Sequence, residues 1–423
     1  MAKYYHPIRV VSEKCDGRRK CMRVCPTQAI RVRAGKAVIN EELCVDCGEC
    51  ISACPRGAIE PVTDPFTLSL DFRYKVALPS PVLYSQFRSD VDPRRVVQAI
   101  KRIGFDYVCD VSRACEEVAI VTDEFMSSYK GRLPLISSFC PTVVRLIQVK
   151  YPDLTELVLP IDIPREIAAK EFKEDLSRET GVDPKDIGVI YITPCPAKMV
   201  SIKQPAEKSR SCLDGAVSMR DIYGPLLAAL KDVKDQEMDA DILRRFTFSA
   251  GWEMLGEMTR LLGEERSIAV SGLTDVVKVL DDIENSKLRD VDHIEASACM
   301  GGCIGGPLVV ENMYVGRSNI MNHLAKYASR SSVRRDEVVA KYRSGYYDLE
   351  QHLAPRPLRP LDPDRAVAID KKKKKEAITG ALPKIDCGCC GAPTCEALAD
   401  DIVRGLATIE DCIWIGGISN GKR

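Results

Sequence analysis

The chain has 423 residues, 45% of them hydrophobic, and its 61 basic and 61 acidic side chains leave no net charge at pH 7. That length corresponds to about two to four domains with ample core. The charge balance supplies no overall field to steer the chain to nucleic acid or to an anionic membrane, so neither is an expected partner.

The first residues, Met-Ala-Lys-Tyr-Tyr-His-Pro, carry no charged-then-apolar leader pattern, and no stretch approaches the ~20 apolar residues of a membrane helix. The expectation is a cytoplasmic protein. Of its 19 cysteines, 12 crowd into two terminal segments, and in a reducing compartment such crowding points to metal rather than to disulfides. Exposed clusters are oxygen-sensitive, which suggests anaerobic or low-oxygen life.

Residues 1–64 read as a first domain built on an internal repeat. Cys21-Met-Arg-Val-Cys25-Pro-Thr-Gln-Ala-Ile is echoed by Cys50-Ile-Ser-Ala-Cys54-Pro-Arg-Gly-Ala-Ile. The second copy is complete: Cys44, Cys47 and Cys50 at two-residue gaps, then Cys54-Pro55, the run of bacterial two-cluster ferredoxins. In such runs the fourth cysteine serves the other cluster. Cys44, Cys47, Cys50 and Cys25 therefore form one [4Fe–4S] set. The first copy has Arg18 where a ligand belongs, leaving Cys15, Cys21 and Cys54. That set is open among a [3Fe–4S] cluster, a [4Fe–4S] cluster completed by a group such as Asp16, and no cluster.

Residues 65–350 alternate between helix and strand periods, the pattern of an α/β domain. An amphipathic helix is expected from Asp92, a strand over Phe105–Val111, and a helix over Ile163–Thr180. Short apolar runs lead into cysteine loops: Leu133–Ser137 before Cys140, Ile187–Thr193 before Cys195, and His293–Ala298 before Cys299 and Cys303. Pro141 suits the first turn of a helix through Val149, and Ile268–Gly272 feeds another helix. Ligands in open α/β sheets bind beyond the carboxyl ends of the strands, so these loops are expected to meet in one crevice. Glycines around Cys299 and Cys303 let backbone approach a bulky inorganic group. Cys109, Cys115 and Cys212 read as core thiols.

Residues 351–375 change to a proline-rich run ending in Lys371–Lys375, read as a linker, extended where proline-rich, whose lysines form a solvated charge run or a helix start. Residues 376–423 place Cys387, Cys390 and Cys395 before an expected helix, Glu396–Leu406, and Cys412 after it. Four thiolates around one helix suit a [4Fe–4S] cluster; zinc is the competitor, although its ribbons pair their ligands as two Cys-x-x-Cys knuckles. Cys389 is surplus.

At its cysteine loops the chain resembles the catalytic domain of [FeFe]-hydrogenases, over residues 1 to about 350 with the ferredoxin segment included. The resemblance implies that Cys140, Cys195, Cys299 and Cys303 hold a cube, that Cys303 bridges to a diiron unit with CO, CN and dithiolate ligands, and that Lys198 donates to a cyanide in the absence of a carboxylate. The C-terminal segment resembles the four-cysteine [4Fe–4S] domain of corrinoid iron–sulfur proteins and of sensory hydrogenase-like proteins. The departures are specific. Phe139 stands where the family has a proton-donating cysteine, Ser201 where it has a relay glutamate, and Ser297 where it usually has methionine. A benzyl group relays no proton.

The expected architecture is thus α/β and multidomain: a ferredoxin-like two-cluster module, a hydrogenase-type central domain with a cluster crevice, and a small helical [4Fe–4S] domain. Three to four [4Fe–4S]-type clusters are expected, with or without a diiron unit. The leading expectation is a redox protein that meets H₂ slowly or senses it, signalling through a redox or signalling partner. The alternatives are a non-catalytic electron-transfer or scaffold subunit whose central site holds only a cube, and an enzyme on another small substrate.

Overall fold

The computed structural model of the protein describes residues 4–234, 248–263, 265–329, 331, 333–356 and 360–416. Parts of the expected segments lie outside them: residues 1–3 of the ferredoxin segment, 357–359 of the linker and 417–423 of the C-terminal domain. Two compact units emerge, one from the chain up to Pro61 together with the chain from Arg356 onward, the other from Val62 to Pro355.

In the first unit β1 (Ile8–Val10) pairs antiparallel with β4 (Ile59–Pro61), and β2 (Ile30–Arg33) with β3 (Lys36–Ile39). Ala34 and Gly35 turn the second hairpin with φ of 48° and 73°, the two positive values that a tight hairpin turn requires. The repeat survives as backbone conformation. Gly17 and Asp46, Arg19 and Gly48, and Gln28 and Gly57 are all left-handed pairs separated by the same 29 residues that separate Cys25 from Cys54.

The same unit contains helices at Arg365–Ala381 and Cys395–Val403, packed through Leu382, Ala392, Leu398 and Cys412. The lysine run, read as a solvated charge run or a helix start, lies within the first of these helices. Asp364 caps that helix by accepting from the Ala366 and Val367 amides, lysine is a good helix former, and Lys375 pairs with Glu396 at 2.9 Å. The cysteine loop between the helices lies along β2, where the Val32 amide donates to Gly391 O at 2.8 Å. Arg31 and Arg33 both reach the buried Asp401 carboxylate, and Arg33 also donates to Cys390 O at 2.9 Å. A Cβ on Gly391, φ +80°, would stand 1.9 Å from Val32 O, so only glycine permits this approach.

The second unit holds two parallel sheets. One has the order β6–β5–β8–β9, from β5 (Tyr74–Pro79), β6 (Tyr107–Val108), β8 (Ile187–Thr193) and β9 (Gly215–Ser218); the other is β10–β11–β7, from β7 (Leu135–Ile136), β10 (Ser267–Ser271) and β11 (His293–Ser297). Every residue of β8 is buried, as a strand covered on both faces must be. The expected strand at 105–111 shortens to Tyr107–Val108. It is an edge strand with a single neighbour, β5, so pairing holds only its centre. The helices expected from Asp92, Pro141, Ile163 and after Gly272 begin at Pro93, Pro141, Pro164 and Leu273, three of them on the proline that pre-sets the first turn.

Candidate metal centres

The central cysteines sit where strands end, yet on both sheets. Cys140 lies beyond β7 and Cys299 beyond β11, while Cys195 lies just beyond β8 of the other sheet. The crevice is therefore formed between two sheets rather than at one. Cys140 and Cys195 each precede a proline-started helix, Pro141–Lys150 and Pro196–Lys203. Burial raises the Cys303 thiol, Lys198 opposes this, and the nearby Glu253, Cys195 and Cys140 raise it further. Burial likewise raises Cys195, against Lys198 and with Cys140 beside it. Cys299 shares the Cys303 loop, where the Gly302 amide donates to Cys299 O at 3.1 Å.

Backbone bonds fasten these loops together: the Cys303 amide to Glu253 O at 2.8 Å and the Leu308 amide to Pro194 O at 2.9 Å. A Cβ on Gly302 would meet Glu253 O at 2.4 Å, and one on Gly306 would meet Pro194 O at 2.6 Å. Thiols at strand ends, buried enough to be protonated without a cation, match an iron cluster, whose iron takes them as thiolates.

Lys198 departs from expectation. Its ammonium is 2% exposed and bonds the Glu253 carboxylate, with Tyr191 Oη and Cys303 Sγ each at 3.3 Å. Glu253 also accepts from Ser80 Oγ and from Tyr191 Oη. Burial alone would raise Glu253, but Lys198 and the two hydroxyls hold it below the ordinary range, while Cys303 and Glu253 lift Lys198 well above its ordinary value despite burial. The lysine thus has a carboxylate partner, which the sequence reading took to be absent. Phe139, Tyr191, Lys198, Trp252 and Glu253 surround what space is left beside it, about 20 Å³. That is room for about one water molecule. The four thiols suit a cube, and Phe139, Trp252 and the Lys198–Glu253 pair crowd the space beside Lys198. Ser201 serves as a bridge, its hydroxyl accepting from Arg165 Nη2 at 2.7 Å and donating to Lys198 O at 3.0 Å.

In the ferredoxin segment burial raises Cys21, followed by the neighbouring Cys54 and Cys15. Burial also raises Cys44, beside Asp46, Cys47 and Cys25, and Cys47, beside Cys50 and Cys25. Cys50 is pushed up to about 12 by burial and by Cys25 and Cys21. Each of these thiols thus has other cysteines of the segment close by, and Cys50 feels both Cys25 and Cys21. Equivalent amides donate to sulfur in both halves, Ala29 to Cys25 at 3.2 Å and Ala58 to Cys54 at 3.3 Å. Arg18 turns to Asp16 at 2.7 Å. Sequence reasoning missed a buried cluster: Asp46 meets His6 at 2.6 Å and Tyr4 Oη at 2.7 Å.

In the C-terminal segment Cys390 is raised by burial and by nearby Cys387 and Cys412. Backbone bonding from Cys389 lowers Cys387 against burial, helped by Trp414. Cys395 opens the Cys395–Val403 helix, its amide donating to Asp386 at 2.6 Å. Among the described residues, the one group of three candidate ligands within 4.8 Å of one another is His6, Cys44 and Asp46.

Comparison with known proteins agrees. The family described as iron only hydrogenase large subunit, C-terminal domain, matches residues 73–242 and 226–307, more than half of the chain. The chain belongs to this family. An Fe-S cluster family matches residues 382–413 and the LdpA Fe-S cluster-binding domain matches 12–64. The NADP-reducing hydrogenase subunit HndD of Solidesulfovibrio fructosivorans is 23% identical over 230 residues, 46% of this chain, and the chain spans only 39% of that subunit's length. The ferredoxin segment is 36% identical over 52 residues to Ferredoxin 7Fe of Hydrogenibacillus schlegelii, 12% of this chain and 67% of that one. An apo [FeFe]-hydrogenase from Chlamydomonas reinhardtii superposes with a TM-score of 0.52 at 16% identity, covering 67% of this chain and 94% of the other, which establishes a shared fold. The protein is a hydrogenase-like iron–sulfur protein, and its clusters imply electron transfer. No helix among the described residues is long and apolar enough to cross a membrane.

Proposed function

We propose that the protein is an electron carrier of the iron-only hydrogenase family whose central site holds a cube on Cys140, Cys195, Cys299 and Cys303 and no diiron unit. The observation that carries this reading is the buried Lys198–Glu253 pair beside Phe139: the cation already has a carboxylate partner within the protein, and a benzyl group stands where the family has its proton-donating cysteine. Bound clusters would supply one-electron exchange. The chain's own residues leave room for about one water beside Lys198, set a cation 3.3 Å from Cys303 Sγ, and put Phe139 and Ser201 at the two relay positions.

Cys44, Cys47, Cys50 and Cys25 would hold a [4Fe–4S] cluster, as would Cys387, Cys390, Cys395 and Cys412. Cys15, Cys21 and Cys54 would hold a [3Fe–4S] cluster, since Arg18 occupies Asp16 and the name of the matched ferredoxin counts seven irons. Electrons would pass between the C-terminal cluster and this three-iron site through Cys390, Gly391 and Val32. Val32 lines the space among Cys15, Cys21 and Cys54 and is bonded to Gly391 O. A redox partner in the cytoplasm would complete the circuit.

Infrared spectroscopy tests the reading. Iron-loaded protein offered a synthetic diiron cofactor, then desalted, should show no bound CO or CN bands. Retained bands with H₂ evolution would replace this reading with slow H₂ turnover, the function otherwise suggested by family membership.

A further inference from the structure

The central unit encloses a second, much larger space of about 420 Å³, well within the size of small-molecule sites. The helices Pro141–Lys150 and Pro164–Thr180 contribute walls to it. Its roof is a strap at 347–354 bonded on several sides: Leu349 N to Pro160 O at 3.4 Å, Gln351 N to Glu207 O at 3.1 Å, and Gln148 Nε2 to Ala354 O at 2.8 Å. The cavity is therefore a built enclosure rather than a gap under a loose segment.

Its walls are largely apolar, from Phe125, Leu135, Val144, Ile161 and Leu353, and they include a charge that the fold does not balance. Arg165 is 6% exposed, and no carboxylate among the described residues forms an ion pair with it. One nitrogen donates to Ser201, while its buried Nε has no partner. A buried guanidinium with an open donor is costly unless an acceptor completes it. The acids on the wall are engaged elsewhere, Glu156 with Arg132 at 3.3 Å and Glu207 with the Ala206 amide at 2.9 Å.

We propose that this cavity binds an organic carboxylate with an apolar body, the carboxylate seated against Arg165 and the chain along the apolar wall. Ser138 and Pro141, which bracket Phe139 and Cys140, line the same cavity. An occupant would therefore be felt at the iron held by Cys140. The inference does not depend on whether that site holds a cube or a larger cluster.

The test is calorimetric titration of iron-loaded protein with sodium octanoate, with octanol and inorganic phosphate as separate arms. Octanoate should saturate one site, with octanol and phosphate at least about tenfold weaker. Arg165→Gln should weaken octanoate about 10- to 100-fold, the range for a hydrogen bond to a charged group. Leu353→Trp fills the cavity from the strap without altering the arginine and should weaken octanoate comparably. Saturating octanoate should also shift the EPR g values of the central cluster in the unsubstituted protein alone. Equal binding of octanol and octanoate, no saturable binding, or an Arg165→Gln affinity like that of the unsubstituted protein would overturn the proposal. If Arg165→Gln does not fold, undiminished affinity in Leu353→Trp overturns it.

Discussion

Glu253→Gln is the sharpest perturbation of the central site, because it removes a charge and little volume. Glu253 takes bonds from Lys198, Ser80 and Tyr191, and Lys198 is 2% exposed. Removing one partner of a buried ion pair costs about 3–5 kcal/mol, since the other charge stays buried. Here the cost should depend on the cluster. Lys198 also stands 3.3 Å from Cys303 Sγ, so an iron-bound thiolate offsets part of its charge. Iron-loaded protein should lose about 3 kcal/mol and stripped protein about 5. The chain contains two tryptophans, and Trp252 is buried next to the substituted residue whereas Trp414 is half-exposed in the other unit. Urea unfolding followed by Trp252 fluorescence in a Trp414→Phe background therefore reports the central unit by itself. The pair Lys198→Met with Glu253→Leu should cost less than Glu253→Gln alone, because nothing charged is then left buried. A loss under about 1 kcal/mol with and without iron, or a double variant as unstable as the summed singles, would refute the pairing argument.

Arg18→Cys should raise iron from about 15 to about 16 atoms per chain and convert a [3Fe–4S] EPR signal to a [4Fe–4S] one; unchanged iron would count against the three-iron assignment. Gly391→Ala should cost at least about 1–2 kcal/mol from the left-handed backbone alone, detach the cysteine loop from β2, and speed proteolysis between the two segments, while unaltered cleavage would deny that contact. His293 lies buried on β11 with neither ring nitrogen bonded, and burial lowers it to about 4. A base depressed on folding keeps its full contribution above its unfolded value near 6.5 and loses it as pH falls through about 4. Stability relative to His293→Gln should therefore drop by about 3 kcal/mol from pH 7 to pH 4, and a flat difference curve would contradict the burial.

The cysteine runs were legible because ligand spacing is local: Cys44, Cys47 and Cys50 lie within one turn and helix, and the repeat points to Cys25 beside them. The strand–loop–helix order around Cys140, Cys195 and Cys299 followed from apolar runs and from proline at the first helical turn. Glu253 was not legible. It lies 55 residues from Lys198, outside any cysteine motif, and a buried lysine signals that an acid is needed without saying which. Arg165 was hidden for the same reason, since the amphipathic pattern of its helix is equally compatible with a solvated arginine. The prolines before the lysine run suggested extension up to it, whereas Asp364 already starts a helix ahead of the lysines. The attachment of the C-terminal segment to β2 depends on one glycine and on Asp401, neither distinctive in sequence.

That attachment joins Arg31 to Asp401 across 370 residues. At 5–20 residues per second, roughly 20–75 s of synthesis separate the two. Throughout that interval β2 would offer a bare edge, with two arginines unneutralised, to any strand nearby. A nascent chain would therefore gain from early iron delivery at the first two cysteine sets, which stiffens the hairpin before its cover is made. The Val32–Gly391 bond then closes the edge.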